Sequence, residues 1–132
     1  MRLASLTAIA FLIAGTGAQA QALDCSNPQD QRSMNECAHQ AWEAADGDLN
    51  LAYRLAMNAA KSMDEFTPEW QEKTSIVLRD AQRAWIPFRD KACELESHQA
   101  RGGTMQPLIF WGCMEKLTRD RTEQLRAFGE VN

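Results

Sequence analysis

The chain has 132 residues, 45% of them hydrophobic, with 14 basic and 18 acidic side chains and a net charge of −4. That length makes one domain rather than two. An acidic chain with no basic stripe is poorly suited to nucleic acid, and after residue 20 no apolar run approaches the ~20 residues that a membrane helix needs.

Residues 1–20 read MRLASLTAIAFLIAGTGAQA, with a basic start at Arg2, an apolar run from Leu3 to Ala14 and a small-x-small site at Ala18-Gln19-Ala20. This three-part pattern predicts a secretory signal peptide cleaved after Ala20. Cleavage leaves residues 21–132, a single domain of 112 residues, and removes one base and no acid, so the net charge becomes −5. Cys25 follows Ala22-Leu23-Asp24, but Asp24 stands where a lipidation site has a small uncharged residue. The expected product is therefore periplasmic or secreted, not lipid-anchored.

The remainder reads as helices. β-Branched residues are few, and no alternating run is bounded by turn residues. Asn27-Pro28 predicts the first helix start, a capping side chain followed by a proline whose missing N–H costs nothing there. Met34, Ala38, Ala41, Ala45, Leu49, Ala52 and Ala56 recur at helical spacing, with Trp42, Tyr53 and Ala60 beside them. This broad, Ala-rich stripe predicts close helix packing and one long helix to about Met63. Gly47 lies inside it, at a cost of about 1 kcal/mol against Ala. Thr67-Pro68-Glu69 predicts the second start. Trp70, Thr74, Val77, Ala81, Trp85, Phe88 and Ala92 form the second stripe, Pro87 predicts a kink near Arg83, and Gly102-Gly103 an end. The third helix is expected from Thr104–Pro107, with a stripe of Leu108, Trp111, Met114, Thr118, Arg121, Leu125 and Phe128. Three such stripes must bury against one another. They predict an all-α small bundle, a long antiparallel hairpin plus a C-terminal helix.

All four cysteines, Cys25, Cys37, Cys93 and Cys113, follow the leader. An even count in a small exported chain implies disulfides. Three pairings are possible; loop closure and helix geometry favour the local pairs Cys25–Cys37 and Cys93–Cys113, each stabilising by about 3 kcal/mol. Spacings of C-x11-C and C-x19-C lack the close pairs of a zinc site, and only His39 and His98 supply imidazoles. No metal and no other cofactor is expected, and no C-x-x-C redox pair is present.

Three charged residues fall among apolar neighbours: Asp46, Arg89 and Arg121. A hairpin turning near Asp64 to Phe66 places Asp46 opposite the Gln82 to Arg89 stretch, Asn50 opposite Ala81 and Tyr53 opposite Leu78. The expectation is a partly buried network of Asp46 with Arg89 or Arg121, helped by Gln82, Asn50 and Tyr53. A buried Asp needs a partner, Arg is the usual one, and such a network sets helix register. A catalytic acid is the competing reading, but no second carboxylate shares the stripe. The serines have no nucleophile-elbow context, and Gly102-Gly103-Thr104 reads as a helix stop and start rather than an anion-binding turn. No catalytic residue is assigned, and no enzyme is predicted.

Several segments together resemble a family. They are Met34-Asn35-Glu36-Cys37-Ala38; Asp46 to Tyr53, as D-x-x-L-N-x-x-Y; and Leu78 to Cys93, which carries A-Q-R-A-W and F-R-D. Gly102-Gly103-Thr104, Cys113 and Leu117-Thr118-Arg119-Asp120-Arg121 complete the set. The chain from Cys25 to Phe128 resembles the N-terminal domain of the LprI-type lysozyme inhibitors. Pro87 departs from the pattern inside the central motif. The resemblance implies an all-α domain exported to the bacterial envelope that binds and blocks lysozyme.

A domain at −5 is suited to a basic protein partner, and a basic lysozyme is one such partner. The loop from Glu94 to Pro107 is the expected plug, preorganised by a Cys93–Cys113 bond; no single inhibitory residue stands out in it. The alternative is a non-inhibitory periplasmic protein-binding or envelope-stress module. Nothing in the pattern sets an oligomeric state.

Overall fold

The computed structural model describes residues 23–130. The predicted leader and its cleavage site lie outside the described residues. Three α-helices follow in chain order, α1 (Gln31–Asp64), α2 (Thr74–Ser97) and α3 (Gln106–Glu130), with a 3-10 turn at His98–Ala100, and no strand occurs among the described residues.

Local chemistry sets each boundary. α1 begins after Asp30, not at Asn27-Pro28. The Asp30 carboxylate accepts hydrogen bonds from the Ser33 N–H at 2.8 Å and the Ser33 hydroxyl at 3.0 Å. Those bonds meet the unpaired donors of the first turn and hold the Asp30 carboxyl below its usual range. The segment ahead of the cap is tied to the helix by Cys25–Cys37, with a Cα–Cα distance of 5.4 Å.

α2 begins at Thr74, seven residues beyond Thr67. Its first turn is capped from outside: the carboxylate of Asp64, the last residue of α1, accepts from the Thr74 N–H at 2.6 Å and the Ser75 N–H at 3.2 Å, and also from the Ser75 hydroxyl. The Thr67 hydroxyl instead donates to the Met63 carbonyl. The connection is thus longer than expected, and it leaves Phe66 and Trp70 exposed. α2 continues through Pro87 without a break. Pro87 lies on the exposed face, as does Arg83, whose carbonyl loses its helical partner and can be hydrated there.

Past α2, Gly102 adopts a left-handed φ of 78° to turn the chain. Cys93–Cys113 closes this loop at a Cα–Cα distance of 5.4 Å. Both disulfides are therefore the local pairs, and no cysteine is free.

α2 runs antiparallel to α1, and α3 returns parallel to α1. Asn35, near the start of α1, donates to the Thr104 carbonyl just before α3. Gly129, near the end of α3, lies against Ala56. α3 packs along α1 most extensively, and α1 meets α2 much less closely. One core cluster joins Leu49, Ala52, Ala56, Ala60, Leu78 and Leu125, flanked by Tyr53, Met57, Trp85 and Phe128. The other surrounds the Cys93–Cys113 bond with Met114, Trp42, Phe110, Trp111 and Leu117.

The stripes of α1 and α3 lie much as their periodicity suggests, but that of α2 does not. Its buried positions are Leu78, Gln82, Arg89, Cys93 and Ser97. Val77 is 49% exposed and Phe88 63% exposed. The inward face is thus one position, about 100°, round from the apolar stripe read in the sequence, because polar residues occupy part of the buried seam.

Candidate functional site

The sparse meeting of α1 and α2 leaves a groove of ≈ 600 Å³ between them. Trp42, Leu49, Tyr53 and Ile86 supply apolar surface, while Asp46, Asn50, Gln82, Arg79, Arg83 and Arg89 supply polar groups. Most of these residues belong to the two segments, Asp46 to Tyr53 and Leu78 to Cys93, that carry the family resemblance.

Arg89 anchors the wall of the groove. Its residue is 6% exposed. Nη1 donates to Asp46 Oδ1 at 3.3 Å and to the buried Thr118 hydroxyl at 3.4 Å, while Nε donates to Asp90 Oδ1 at 3.0 Å. The guanidinium also lies 5.1 Å from the Trp85 ring centroid and 5.9 Å from that of Trp42. A buried guanidinium requires such company, because its donors are costly to leave unmet. Asn50 Nδ2 donates to the other Asp46 oxygen at 3.1 Å.

The structure thus brings Asp46, Asn50 and Arg89 into one chain of hydrogen bonds. Arg121 is not in it. Its Nε donates to Gln82 Oε1 at 3.0 Å, a separate link between α3 and α2. Burial holds the Arg121 guanidinium below its ordinary pKa without removing its charge. Tyr53 lines the groove and packs against the core beside it. The pairing of Asp90 and Thr118 with Arg89 carries no signal in the sequence. An i,i+1 pair such as Arg89 and Asp90 gives no periodic signal, and Thr118 reads merely as a small member of an apolar stripe.

Behind the groove, Trp42 stacks on Trp111 with centroids 4.8 Å apart, and His39 lies 4.3 Å from Trp111. The Trp42 Nε1–H is buried and has no acceptor among the described residues. Such an orphan donor costs about 1–3 kcal/mol.

The second feature is the stapled loop between α2 and α3. Arg101 to Met105 are exposed at its end. Gln106 braces it from within: Oε1 accepts from the Gly102 N–H at 3.0 Å, and Nε2 donates to the Ser97 hydroxyl at 3.4 Å. At its base the Lys91 hydrogen bond and charge, with Arg101 adding positive charge, hold the Glu94 carboxyl below its usual range.

These features define a class: a three-helix domain, stapled by two disulfides, with a polar groove on one side and a braced loop at one end. Residues 24–125 match the family described as Lysozyme inhibitor LprI, and the chain belongs to that family. It is 38% identical over 129 residues to an uncharacterised protein of Rhizobium meliloti (strain 1021), covering 96% of this chain and 93% of that one. It is 30% identical over 115 residues to the uncharacterised protein YecT of Escherichia coli (strain K12), covering 80% of this chain and 71% of the other. The crystal structure of a DUF1311 family protein from Pseudomonas putida KT2440 shares the fold, with a TM-score of 0.66, 22% identity, and coverage of 79% of this chain and 97% of that one. No described helix is long and apolar enough to cross a membrane.

Proposed function

We propose that the chain is exported to the periplasm or beyond, loses residues 1–20, and binds and blocks lysozyme. The family match over residues 24–125 carries this reading. Three physical features agree with it. Two disulfides suit an oxidising compartment. The net charge of −5 after cleavage draws a basic enzyme by long-range attraction. Of the segment Glu94–Pro107 expected as a loop, Glu94–Ser97 belongs to α2 and Gln106–Pro107 to α3; the connection between them is joined by Cys93–Cys113 in the flanking helices and braced from within by Gln106, so little ordering entropy remains to be lost when its exposed tip, Arg101 to Met105, enters a cleft. The test is a cell-wall lysis assay with the purified, disulfide-bonded chain against several lysozymes. Dose-dependent inhibition that disappears after reduction is expected. Full lysozyme activity across the set at micromolar excess sinks the proposal.

A second reading, a non-inhibitory module that docks another envelope protein, draws on the exposed apolar side chains of α2. Val77, Phe88 and Leu95 share one face of α2 by helical spacing and are all at least 49% exposed, and an apolar helix face left open is one a partner could cover. Crosslinking in periplasm distinguishes the two, by capturing lysozyme or a different defined protein.

A further inference from the structure

The groove between α1 and α2 has more hydrogen-bonding capacity than the fold uses. Asp46 and Arg89 are committed to each other and to Asn50, Asp90 and Thr118. The rim is different. The Arg83 side chain is 72% exposed, and its nearest acid, Asp80, stands 4.0 Å away and is already hydrogen-bonded by Arg79 at 2.8 Å. Deeper in the groove, Gln82, 8% exposed, spends only its carbonyl oxygen, on Arg121, and the exposed Asn50 spends only its Nδ2 group, on Asp46. That leaves a donor on Gln82, an acceptor on Asn50 and the Tyr53 hydroxyl without protein partners among the described residues.

We propose that this groove binds a small ligand bearing a carboxylate on an N-acetylated body. The Arg83 guanidinium, with Arg79 beside it, receives the carboxylate, since the planar fork of arginine matches two carboxylate oxygens. The spare amide groups of Asn50 and Gln82 complement the N–H and C=O of an acetamido group. Tyr53 and Ile86 offer a face to a methyl group or a sugar ring. The space of ≈ 600 Å³ lies within the range of small-molecule sites. The wall is preorganised, because Arg89 is held by its hydrogen bonds and by Trp42 and Trp85, which limits the cost of ordering on binding. Cell-wall fragments supply this chemistry from two sources, a carboxylated amino sugar and a peptide carboxy terminus. The proposal stands apart from lysozyme binding and does not need it.

The experiment is a titration of the disulfide-bonded chain, followed by NMR, with N-acetylmuramic acid, N-acetyl-D-alanine and N-acetylglucosamine, the last lacking a carboxylate. At least one carboxylate is expected to saturate, with shifts at Tyr53, Gln82 and Arg83, and the tighter of the two identifies the source. N-acetylglucosamine and the Arg83→Ala variant should each weaken binding about tenfold or more, with the melting temperature of that variant unchanged. The proposal is overturned if neither carboxylate saturates by about 10 mM, a free energy near −3 kcal/mol, if N-acetylglucosamine binds equally well, if Arg83→Ala binds as the parent does, or if the shifts map elsewhere. Loss of lysozyme inhibition with carboxylate binding intact would remove only the other reading.

Discussion

α1 packs against two neighbours in two different ways. Toward α3 it presents Ala45, Leu49, Ala52, Ala56 and Ala60, all buried, and the small side chains let Leu125 and Gly129 approach closely. Toward α2 it presents Asp46, Asn50 and Tyr53, with Trp42 shared between α2 and Trp111 of α3; Leu78 of α2 joins the apolar cluster, but beside it the meeting is made by polar bonds and left open as a groove. Dispersion and area burial stabilise the first seam, and they are non-directional. The second depends on directed bonds, which contribute less net free energy but fix which residue faces which. The first seam supplies stability and the second supplies register and a cavity. Substitutions should therefore separate them.

The largest effect is expected in the dry seam. Leu125 is 2% exposed and touches the alanines of α1. Leu125→Ala should cost about 2–5 kcal/mol, the transfer term plus an unfilled cavity, read by urea denaturation. A loss under 1 kcal/mol, on the order of a single surface change, would mean that the α1–α3 seam is not the main support of the fold.

Next comes the disulfide that joins α2 to α3, the two partners of α1. Replacing Cys93 and Cys113 together by Ala should lower stability by about 3 kcal/mol for a closed loop of this size. The same change at Cys25 and Cys37 should cost less, because that bond ties down an exposed segment preceding α1 rather than two core helices. Equal losses in thermal denaturation would contradict this ordering.

Much of this comparison was legible in the residues. The alanine periodicity of α1 marks a close-packed face, and the cysteine spacing favours the local pairs. The polar seam was legible in part, because charged residues at helical spacing among apolar ones must find partners: of the expected network of Asp46 with Arg89 or Arg121, helped by Gln82, Asn50 and Tyr53, hydrogen bonds join Asp46, Asn50 and Arg89, while Gln82 pairs with Arg121 and Tyr53 only lines the groove. Two features were not. The inward face of α2 carries Gln82, Arg89 and Ser97, so a search for apolar periodicity selects the neighbouring stripe of Val77, Ala81 and Phe88. The start of α2 is set by Asp64 across the turn, ten residues before Thr74, and no local capping signal reports a cap supplied from another helix.

In the polar seam the expected effect is smaller and asymmetric. The Asp46 side chain is 35% exposed, whereas that of Arg89 is 8% exposed. Asp46→Asn keeps the shape, and it leaves Arg89 with Asp90 and Thr118, so a loss of about 1 kcal/mol is expected after discounting for solvent screening. Arg89→Ala removes a buried side chain with every partner it holds and should cost more, about 2–3 kcal/mol. If Asp46→Asn costs as much as Arg89→Ala, the register depends on that single ion pair and not on the wider cluster.

The smallest expected effect lies at the hairpin, where the two seams share an end, and it depends on pH. Burial pushes the Asp64 carboxyl up, but hydrogen bonds from the Ser75 hydroxyl, the Ser75 N–H and the Thr74 N–H together outweigh it and hold the pKa below the usual carboxylate range. A folded-state pKa below the unfolded one means that the cap stabilises fully above the unfolded value. That contribution is lost as pH falls through the folded value, so it fades only in acid. Acidification should therefore lower the hydrogen-exchange protection factors, measured against the intrinsic rate at each pH, first at the amides of Thr74 and Ser75, with the α1–α3 seam still protected. Asp64→Ala should produce the same local opening at neutral pH and remove its acid dependence. Simultaneous loss of protection in α2 and in the α1–α3 seam would show that the hairpin end and the dry seam unfold as one unit, and that the contrast between them is one of packing chemistry alone.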